Sequence, residues 1–562
     1  MRPLLRQISR LAVVFPLVLA GCKPAEVPHG TAPVARAPSP TVSAVWVADQ
    51  GNGTYRNPVL HADYSDPDVV RVGNDYYLTA SSFQDIPGLP ILHSRDLVNW
   101  EIIGYALPRQ QPAAVFDVPQ HGYGVWAPCL RYHAGQFYLF WGDPDYGIYM
   151  VQAQRATGPW SAPTLVLGGK GLIDPSPFWD DDGRAYLVHG WAGSRAGVNS
   201  LLTLHQLAPD GNHVLDAGRN IYSGHADGNH TIEGPKLYKR AGYYYIFAPA
   251  GGVATGWQLA LRSRSLYGPW EVKRVMDQGS TPINGPHQGG WVTTPDGRED
   301  WFMHFQDKGA YGRVLHLQPL TWKNDWPVIG ADPDGDGTGQ PVLTYRKPAV
   351  GGTYPLATPP ESDEFEADSL GRQWQWQAND RVQWAALLRG TGKLRLFAVP
   401  APAGATNLWP VPSLLLQKFP APDFTATTKL TFATEWDVWT GKKAGLLVMG
   451  SDYAYLAISQ TASGFRVAQV LGNDAASGAA EQVLAEQALP GGTAYLRVQV
   501  SAPDATCRFS YSLDGQAFQP LGQPFQAKSE KWVGAKVGLF CTAPAEGRIG
   551  SYADVDWFRI VP

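Results

Sequence analysis

Short aromatic segments recur along the first two thirds of the chain, each directly after a turn-forming stretch. Their aligned aromatic positions, 77, 138, 186, 245 and 302, are 61, 48, 59 and 57 residues apart. A period near 50 residues built from short strands is typical of β-propeller blades, so the five units predict five blades over residues 54–345. The alternative is an irregular β-sandwich with chance repeats. Four units end on a tryptophan 20 to 25 residues later, namely Trp100, Trp160, Trp270 and Trp322.

The pattern changes after a proline-rich joint at residues 346–361. Hydrophobic and polar residues then alternate in segments such as 444–448, 495–500 and 537–540. Alternation with a period of two is typical of strands that bury one face. Residues 362–562 therefore predict an antiparallel β-sandwich, and no helical pattern competes with it. The predicted fold class is all-β, a five-bladed propeller followed by a C-terminal sandwich.

The N-terminus resembles an export signal. An apolar run from Leu11 to Ala20 follows three arginines and is too short to span a bilayer. It ends in Leu19-Ala20-Gly21-Cys22, which resembles a bacterial lipoprotein signal and implies lipid attachment at Cys22. The alternative is a plain secretory signal with an incidental cysteine. We expect a signal peptide at residues 1–22, a flexible tether at 23–53, and an exported protein that a lipid anchors to a bacterial membrane, in the periplasm or at the outer membrane.

Composition and charge exclude one class of partner. The net charge is −4, the pI is about 6.4, and no long basic run occurs. Nucleic-acid binding needs clustered Lys and Arg to neutralise phosphates, so it is not expected. The contents of 44% hydrophobic and 17% charged residues are those of a globular protein.

The cysteines and one acidic segment leave smaller questions. Cys507 and Cys541 fall in the same C-terminal region, so either a disulfide or two reduced core thiols is consistent with the sequence. The segment from Asp332 to Gly337 matches the first half of a calcium loop, but the twelfth position is Leu343 rather than Glu. We interpret it as an acidic turn near the end of the propeller.

Three carboxylates take nearly the same place in three of the repeats. Asp66 lies 11 residues before its repeat aromatic, and Asp174 and Glu233 each lie 12 before theirs. The corresponding place in the second unit falls at Trp126-Ala127-Pro128, and in the fifth the nearest candidate is His287. If each acid lies on the innermost strand of its blade, all three converge on the central channel.

Converging carboxylates suit glycoside hydrolysis. One protonated acid donates to the leaving oxygen, while an ionised carboxylate activates water or attacks the sugar. A third carboxylate nearby raises the pKa of the acid by like-charge repulsion. A retaining enzyme would need a closer pair of carboxyls than an inverting one, and the sequence gives no distances.

Several ordered motifs resemble glycoside hydrolase family 43, which holds β-xylosidases, α-L-arabinofuranosidases and arabinanases on a five-bladed propeller. The resemblance covers about residues 54 to 345, and the region after 361 is similar, less sharply, to the sandwich of the family's β-xylosidases. The motifs are Asn57-Pro58-Val59, Ser65-Asp66-Pro67, Leu97-Val98-Asn99-Trp100, Val125-Trp126-Ala127-Pro128, Asp174-Pro175-Ser176, Glu233-Gly234-Pro235 and Gly312-Arg313, with Asp554-Val555-Asp556-Trp557-Phe558 in the sandwich.

The resemblance implies a role for each acid. The family inverts the anomeric centre, so Asp66 would be the general base, Glu233 the general acid, and Asp174 the residue that raises the pKa of Glu233 and orients it. Asp68 is the rival of Asp66, but the family's base is the Asp directly before Pro in this motif. By the same resemblance, three further residues would bind substrate: Phe83 and Trp126 as apolar walls and Arg313 as a donor to sugar hydroxyls.

The resemblance also bears on metal binding. His287 matches the family's histidine near the channel axis, which often helps to hold a calcium or another small cation, usually through waters. A satisfied core histidine is the other interpretation. Cys129 stands where the family often has a polar residue, and this departure leaves substrate preference open. No organic cofactor is expected.

These features favour an exo-acting β-1,4-xylosidase that releases xylose from xylo-oligosaccharides. An α-L-arabinofuranosidase acting on arabinoxylan or arabinan is the nearest alternative, because the two pentoses have similar outlines. A non-catalytic carbohydrate-binding lipoprotein is an alternative of another class, although binding alone needs no acid–base pair. The sequence leaves the oligomeric state open.

Overall fold

The computed structural model describes residues 42–434, 441–547 and 550–562. The predicted signal peptide, Cys22 and most of the predicted tether lie outside the described residues. Within these described ranges, none of the helices has the length and apolar character needed to cross a membrane. The chain begins with strand β1 (Thr54–Arg56), which pairs with β22 (Thr344–Arg346) and so joins the two ends of the propeller.

Five four-stranded antiparallel sheets form the propeller, which confirms the predicted number of blades. The strands of blade 1 are β2 (Asp68–Val72), β3 (Asp75–Thr79), β4 (Gly88–Ser94) and β5 (Glu101–Leu107); of blade 2, β6 (Trp126–His133), β7 (Gln136–Asp143), β8 (Gly147–Ala153) and β9 (Thr164–Gly168); of blade 3, β10 (Leu172–Trp179), β11 (Ala185–Trp191), β12 (Leu201–Leu207) and β13 (Arg219–Ser223); of blade 4, β14 (Lys236–Arg240), β15 (Tyr243–Ala250), β16 (Trp257–Ser263) and β17 (Glu271–Met276); of blade 5, β18 (His287–Thr293), β19 (Asp300–Asp307), β20 (Arg313–Lys323) and β21 (Trp326–Ile329).

The first strand of each blade lines the central channel. Neighbouring first strands contact one another in the order β2, β6, β10 and β14, and β18 closes the ring against β2. The repeat aromatics fall on the second strand of every blade, where each pairs with a residue of the first strand. They pack between blades, as Tyr245 and Phe302 do in one shared cluster, which explains why this position recurs. Two short helices, α1 (Ala113–Phe116) and α2 (Gly193–Ala196), lie in loops.

The C-terminal region is an antiparallel β-sandwich, as predicted. One sheet contains β23 (Gln375–Trp376), β27 (Leu414–Lys418), β37 (Lys536–Ala543), β29 (Lys443–Met449), β30 (Tyr453–Thr461), β31 (Gly464–Gly472) and β32 (Gln482–Leu489), with β26 (Val399–Pro400) beside β37. The other contains β24 (Ala385–Leu388), β25 (Lys393–Phe397), β38 (Ser551–Val561), β28 (Phe424–Thr434), β33 (Thr493–Ser501), β34 (Thr506–Ser512) and β35 (Gln519–Pro520), with β36 (Phe525–Gln526) beside β34.

Alternating side chains from both sheets fill the sandwich core. Leu496 and Val498 of β33 pack in the same cluster as Leu446 and Val448 of β29, which is the pairing of inner faces that the period-two pattern predicts. Cys507 and Cys541 are both free and buried in this core, so the structure favours reduced thiols over a disulfide. Burial raises the pKa of the Cys507 thiol to about 12, which keeps it protonated and unreactive.

Buried polar contacts join the sandwich to the propeller. Lys536 of β37 forms an ion pair with Asp85 of the propeller, and both side chains are almost fully buried. Asp63 accepts hydrogen bonds from the backbone N–H groups of Arg313 at 2.9 Å and Gly534 at 2.8 Å. One carboxylate therefore holds a propeller strand and a sandwich loop together, and both lead to the same cavity.

Candidate active site

A cavity with about 430 Å³ of empty space opens at one end of the channel. This size lies within the range of small-ligand sites. The structure brings together six of the seven residues that the sequence singled out for chemistry or binding. The residues that line it are Asp66, Phe83, Trp126, Ala127, Ile173, Asp174, Glu233, Val253, Gln288, Arg313 and Trp532.

The start of the first strand has the same local structure in four blades. Asp66, Ala127, Asp174 and Gly234 each have a positive φ, each precedes a proline, and each lies two residues before a paired position of the first strand. Such a backbone disfavours most side chains and is found where function fixes the geometry. The repeated turn therefore directs these four positions into one cavity.

This register corrects the count made from the sequence. Asp174 lies within β10, at a bulge, whereas Asp66 and Glu233 lie just before their first strands rather than on them. Gly234, not Glu233, is the structural equivalent of Asp66. The hairpin of blade 3 is one residue longer than those of blades 1 and 4, and this hid the offset. A side chain at Gly234 would collide with Gln288, which explains why glycine stands there.

Asp66 is a buried carboxylate with three hydrogen-bond donors. Its Oδ2 accepts from the hydroxyl groups of Ser81 at 2.6 Å and Ser65 at 2.8 Å. Its Oδ1 accepts from Nη1 of Arg313 at 2.9 Å, and both side chains are only 7% exposed. Donors of this kind stabilise the negative charge of a carboxylate, so Asp66 is held ready to accept a proton.

Asp174 is buried beside the other two acids. The backbone N–H of Gly234 donates to its Oδ2 at 2.7 Å, and the amide of Gln288 approaches the same atom at 3.4 Å. Burial, and then the negative charges of Glu233 and Asp66, raise the pKa of Asp174 well above its usual range. Asp174 and Glu233 therefore compete for a proton as a coupled pair.

Glu233 is the most accessible of the three acids, with 29% of its side chain exposed. Its Oε1 lies 3.0 Å from Nε2 of His287, which is completely buried. Nδ1 of His287 has no hydrogen-bond partner among the described residues, so a proton on Nε2 makes the better tautomer and donates to Glu233. This contact fixes one oxygen of Glu233 and leaves the other free to face a substrate.

The sequence placed His287 near a cation, and the structure places it against Glu233. The protein offers a cation one free nitrogen at this point, Nδ1 of His287. Calcium prefers six to eight oxygen ligands, so these residues do not form a direct calcium site. Among the residues described, the group with three closely spaced candidate ligands is Asp332, Asp334 and Asp336. Their carboxylates accept backbone N–H groups within the turn, as expected for an acidic turn.

Phe83 and Trp126 form adjoining apolar walls. Phe83 is buried and has a positive φ, and its backbone forms an antiparallel bridge with Val125, next to Trp126. The indole N–H of Trp126 donates to the carbonyl of Gly122 at 2.8 Å, which fixes the ring plane. Aromatic walls suit the apolar faces of a pentose ring.

The sandwich contributes Trp532, which the sequence reasoning missed. Its ring lies 6.3 Å from that of Trp126 and 5.4 Å from the guanidinium carbon of Arg313. Phe305 lies on Arg313 at 4.7 Å, so aromatic rings from both domains hold this cation. Trp532 is 42% exposed, which is unusual for a tryptophan and was the one available signal in the structure. A lone Trp in a loop carries no such signal in the sequence.

Two other residues singled out from the sequence have structural surroundings. Asp68 accepts from Nη1 of Arg131 at 2.6 Å and from the backbone N–H of Leu130, and thereby joins blade 1 to blade 2. Its burial in these contacts supports Asp66, rather than Asp68, as the acid of the cavity. Cys129 is buried near Ser176 and does not line the cavity.

Comparisons with known proteins agree with this geometry. The family model "Glycosyl hydrolases family 43" matches residues 55–327, and the model of the concanavalin A-like C-terminal domain of β-xylosidases matches 362–561. A β-xylosidase of Formosa agariphila is 31% identical over 560 residues, covering 91% of this chain and 90% of that protein. A non-reducing-end α-L-arabinofuranosidase of Bacteroides ovatus is 32% identical over 430 residues, covering 73% of this chain and 76% of that protein.

A solved structure shows the same architecture over nearly the whole chain. The crystal structure of xylan β-1,4-xylosidase from Bacillus halodurans superimposes with a TM-score of 0.79 at 27% identity, covering 90% of this chain and 100% of that one. The propeller, the sandwich and their order along the chain are thus shared. The protein is a glycoside hydrolase and belongs to glycosyl hydrolase family 43.

Proposed function

We propose that this protein is an inverting β-1,4-xylosidase that releases xylose from the non-reducing end of xylo-oligosaccharides. The observation that carries the proposal is one cavity in which three carboxylates have three different surroundings. Asp66 is held by donors, Asp174 is buried among negative charges, and Glu233 is accessible and oriented by a histidine. Acid–base hydrolysis of a glycoside requires such a division of roles.

Asp66 acts as the general base. The ion pair with Arg313 and the two serine hydroxyls hold its carboxylate in place. A water beside this carboxylate loses a proton to it while attacking the anomeric carbon. General base catalysis of this kind contributes about 10² to 10⁴ in rate.

Glu233 acts as the general acid, with Asp174 as its partner. His287 binds Oε1 of Glu233, so the proton for the leaving oxygen is carried on Oε2. Because Asp174 and Glu233 lie close together in a buried site, they do not both ionise readily, and the pair retains a proton to higher pH. Retention of this proton supplies the acid that the reaction needs.

The shape of the cavity supports exo action. Trp532 of the sandwich faces Trp126 across the cavity, and Phe83 lines it as well. A site covered on one side by a second domain receives a chain end more easily than the middle of a chain. The β-xylosidases among the relatives favour xylose as the released sugar. The arabinofuranosidase relative makes α-L-arabinofuranosidase activity the second candidate.

Paired chromogenic substrates test the proposal. The mature chain should hydrolyse an aryl β-D-xyloside faster than an aryl α-L-arabinofuranoside, and NMR should show α-xylose as the first product. The opposite preference would establish the second candidate, and β-xylose as the first product would contradict inversion. Binding of xylo-oligosaccharides without hydrolysis of either substrate would indicate a carbohydrate-binding lipoprotein instead.

We also propose export with a lipid on Cys22, supported by the Leu19-Ala20-Gly21-Cys22 segment. Cys22→Ser should move the protein from the membrane fraction to the soluble fraction, and mass spectrometry should detect lipid on the unmodified sequence only. A variant that stays with the membrane, together with an unlipidated parent, would contradict this part of the proposal.

A further inference from the structure

A second cavity lies between the segment that leads into blade 2 and the turn that follows β7. It has about 710 Å³ of empty space and opens to solvent. Its lining combines aromatic and hydrogen-bonding side chains, as sugar sites do. The lining residues that matter here are Gln120, Tyr123, Asp143 and Tyr146.

This cavity adjoins the catalytic one. Gly142 of β7 pairs with Trp126 and packs against the backbone at Ile173 and Asp174, and Asp143 is the next residue. On the outer side, one sandwich loop covers both cavities: Trp532 faces Trp126.

The preceding residue of the same loop covers the second cavity. Nζ of Lys531 lies 5.2 Å from the ring of Tyr123, three residues before Trp126. A chain that leaves the catalytic cavity past Trp126 therefore meets the second cavity next.

Asp143 is the unusual group of the second cavity. The residue is only 3% exposed, and the backbone N–H of Asp145 donates to its Oδ1 at 3.0 Å. No side chain in the described part of the protein donates to Asp143 or forms an ion pair with it, whereas the adjacent Asp145 is paired with Arg195. Buried carboxyl groups normally have such partners, so a partner from outside the chain is implied.

The chemistry of Asp143 suits a neutral ligand with hydroxyl groups. Burial raises the pKa of Asp143 to about 7, so near neutral pH the group exists in both protonation states. A protonated carboxyl group donates one hydrogen bond and still accepts others. Sugar hydroxyls also donate and accept, and they need no compensating charge.

We propose that the second cavity binds a xylosyl residue of the leaving chain. Hydroxyl groups of that residue bond to Asp143, and the ring of Tyr146 lies beside the sugar. This inference rests on the proposed xylosidase function and adds a leaving-chain site to it. Substrates with a sugar leaving group depend on this site, whereas an aryl xyloside does not.

The test compares substrates within one variant. Asp143→Ala should lower the ratio of kcat/KM for xylotriose to kcat/KM for an aryl xyloside about tenfold, because one buried hydrogen-bonding partner is lost. Asp181→Ala removes a carboxylate from the opposite mouth of the channel and serves as the matched control. Its ratio should equal that of the parent protein.

Calorimetry supplies an independent readout. In a Glu233→Ala background, adding Asp143→Ala should weaken xylotriose binding about tenfold and leave xylose binding unchanged. If Asp143→Ala does not fold, Tyr146→Ala should lower the same ratio. Equal ratios in Asp143→Ala and Asp181→Ala would overturn the inference. A parent protein without activity on any β-xyloside would instead overturn the proposed function.

Discussion

The propeller and the sandwich contribute to the active site in different ways. The propeller repeats one turn in four blades, and this repetition directs Asp66, Asp174 and the peptide of Gly234 into one cavity. The sandwich repeats nothing at the site and supplies a single loop that carries Trp532. Repetition thus places the reacting groups, whereas a unique loop shapes the access to them.

The difference appears in how the two regions are held. The acids of the propeller are fixed by short hydrogen bonds from neighbouring strands, such as Ser81 to Asp66 at 2.6 Å. The sandwich loop is fixed across the domain boundary, through the N–H of Gly534 and the carboxylate of Asp63. We therefore expect changes in the propeller acids to affect catalysis, and changes in the loop to affect substrate binding.

Asp66→Ala should have the largest effect. Removal of the base abolishes activation of water whatever the leaving group, so kcat should fall by about 10² to 10⁴ on both xylobiose and an aryl xyloside. Steady-state kinetics on the two substrates measures this loss. Asp68→Asn alters the neighbouring acid outside the cavity and is the control for local disturbance. A larger loss of kcat in Asp68→Asn would transfer the role to Asp68.

Trp532→Ala should have a smaller effect of another kind. Loss of the aromatic wall removes contact with the sugar and one of the two rings on Arg313, so KM should rise about tenfold while kcat changes less. Trp557→Ala removes a partly exposed tryptophan from β38 and is the matched control. Equal KM values for the two variants would contradict a role of the sandwich in binding.

Asp174→Asn should change stability by the smallest amount and in the unusual direction. The pKa of Asp174 is raised on folding, so this group stabilises the fold at low pH and costs stability as pH rises through its folded pKa. Asparagine keeps the acceptor for the N–H of Gly234 and carries no charge. The free energy of unfolding should rise by at least about 1 kcal/mol at pH 8, since each pKa unit corresponds to about 1.4 kcal/mol.

Denaturant titrations of Asp174→Asn and the parent at pH 4 and pH 8 check this sign. The gain should shrink towards pH 4, near the usual pKa of an aspartate. A loss of stability at pH 8 would show that the buried charge is better compensated than its surroundings indicate.

The sequence predicted most of the propeller because its constraint repeats. The same contact between blades selects an aromatic residue at Tyr77, Tyr138 and their equivalents, and each occurrence strengthens the pattern. The carboxylates were found by the same repetition. The offset of Glu233 was missed because one hairpin is a residue longer, and hairpin length is a local property that the repeat does not reveal.

Contacts between distant parts of the chain could not be predicted in this way. Trp532 faces Trp126 across more than 400 positions, and no periodic pattern links the two. The contact of His287 with Glu233 depends on how the first strands of blades 4 and 5 pack. Such contacts follow from three-dimensional packing rather than from local propensity.

The central claim is that Glu233 donates the proton to the leaving oxygen, and one measurement tests it directly. A poor leaving group such as xylose needs this proton, whereas an activated aryl group leaves readily without it. The loss of kcat/KM in Glu233→Ala should therefore be at least about a hundredfold larger on xylobiose than on an activated aryl xyloside. Equal losses on the two substrates would contradict the assignment of Glu233 as the general acid.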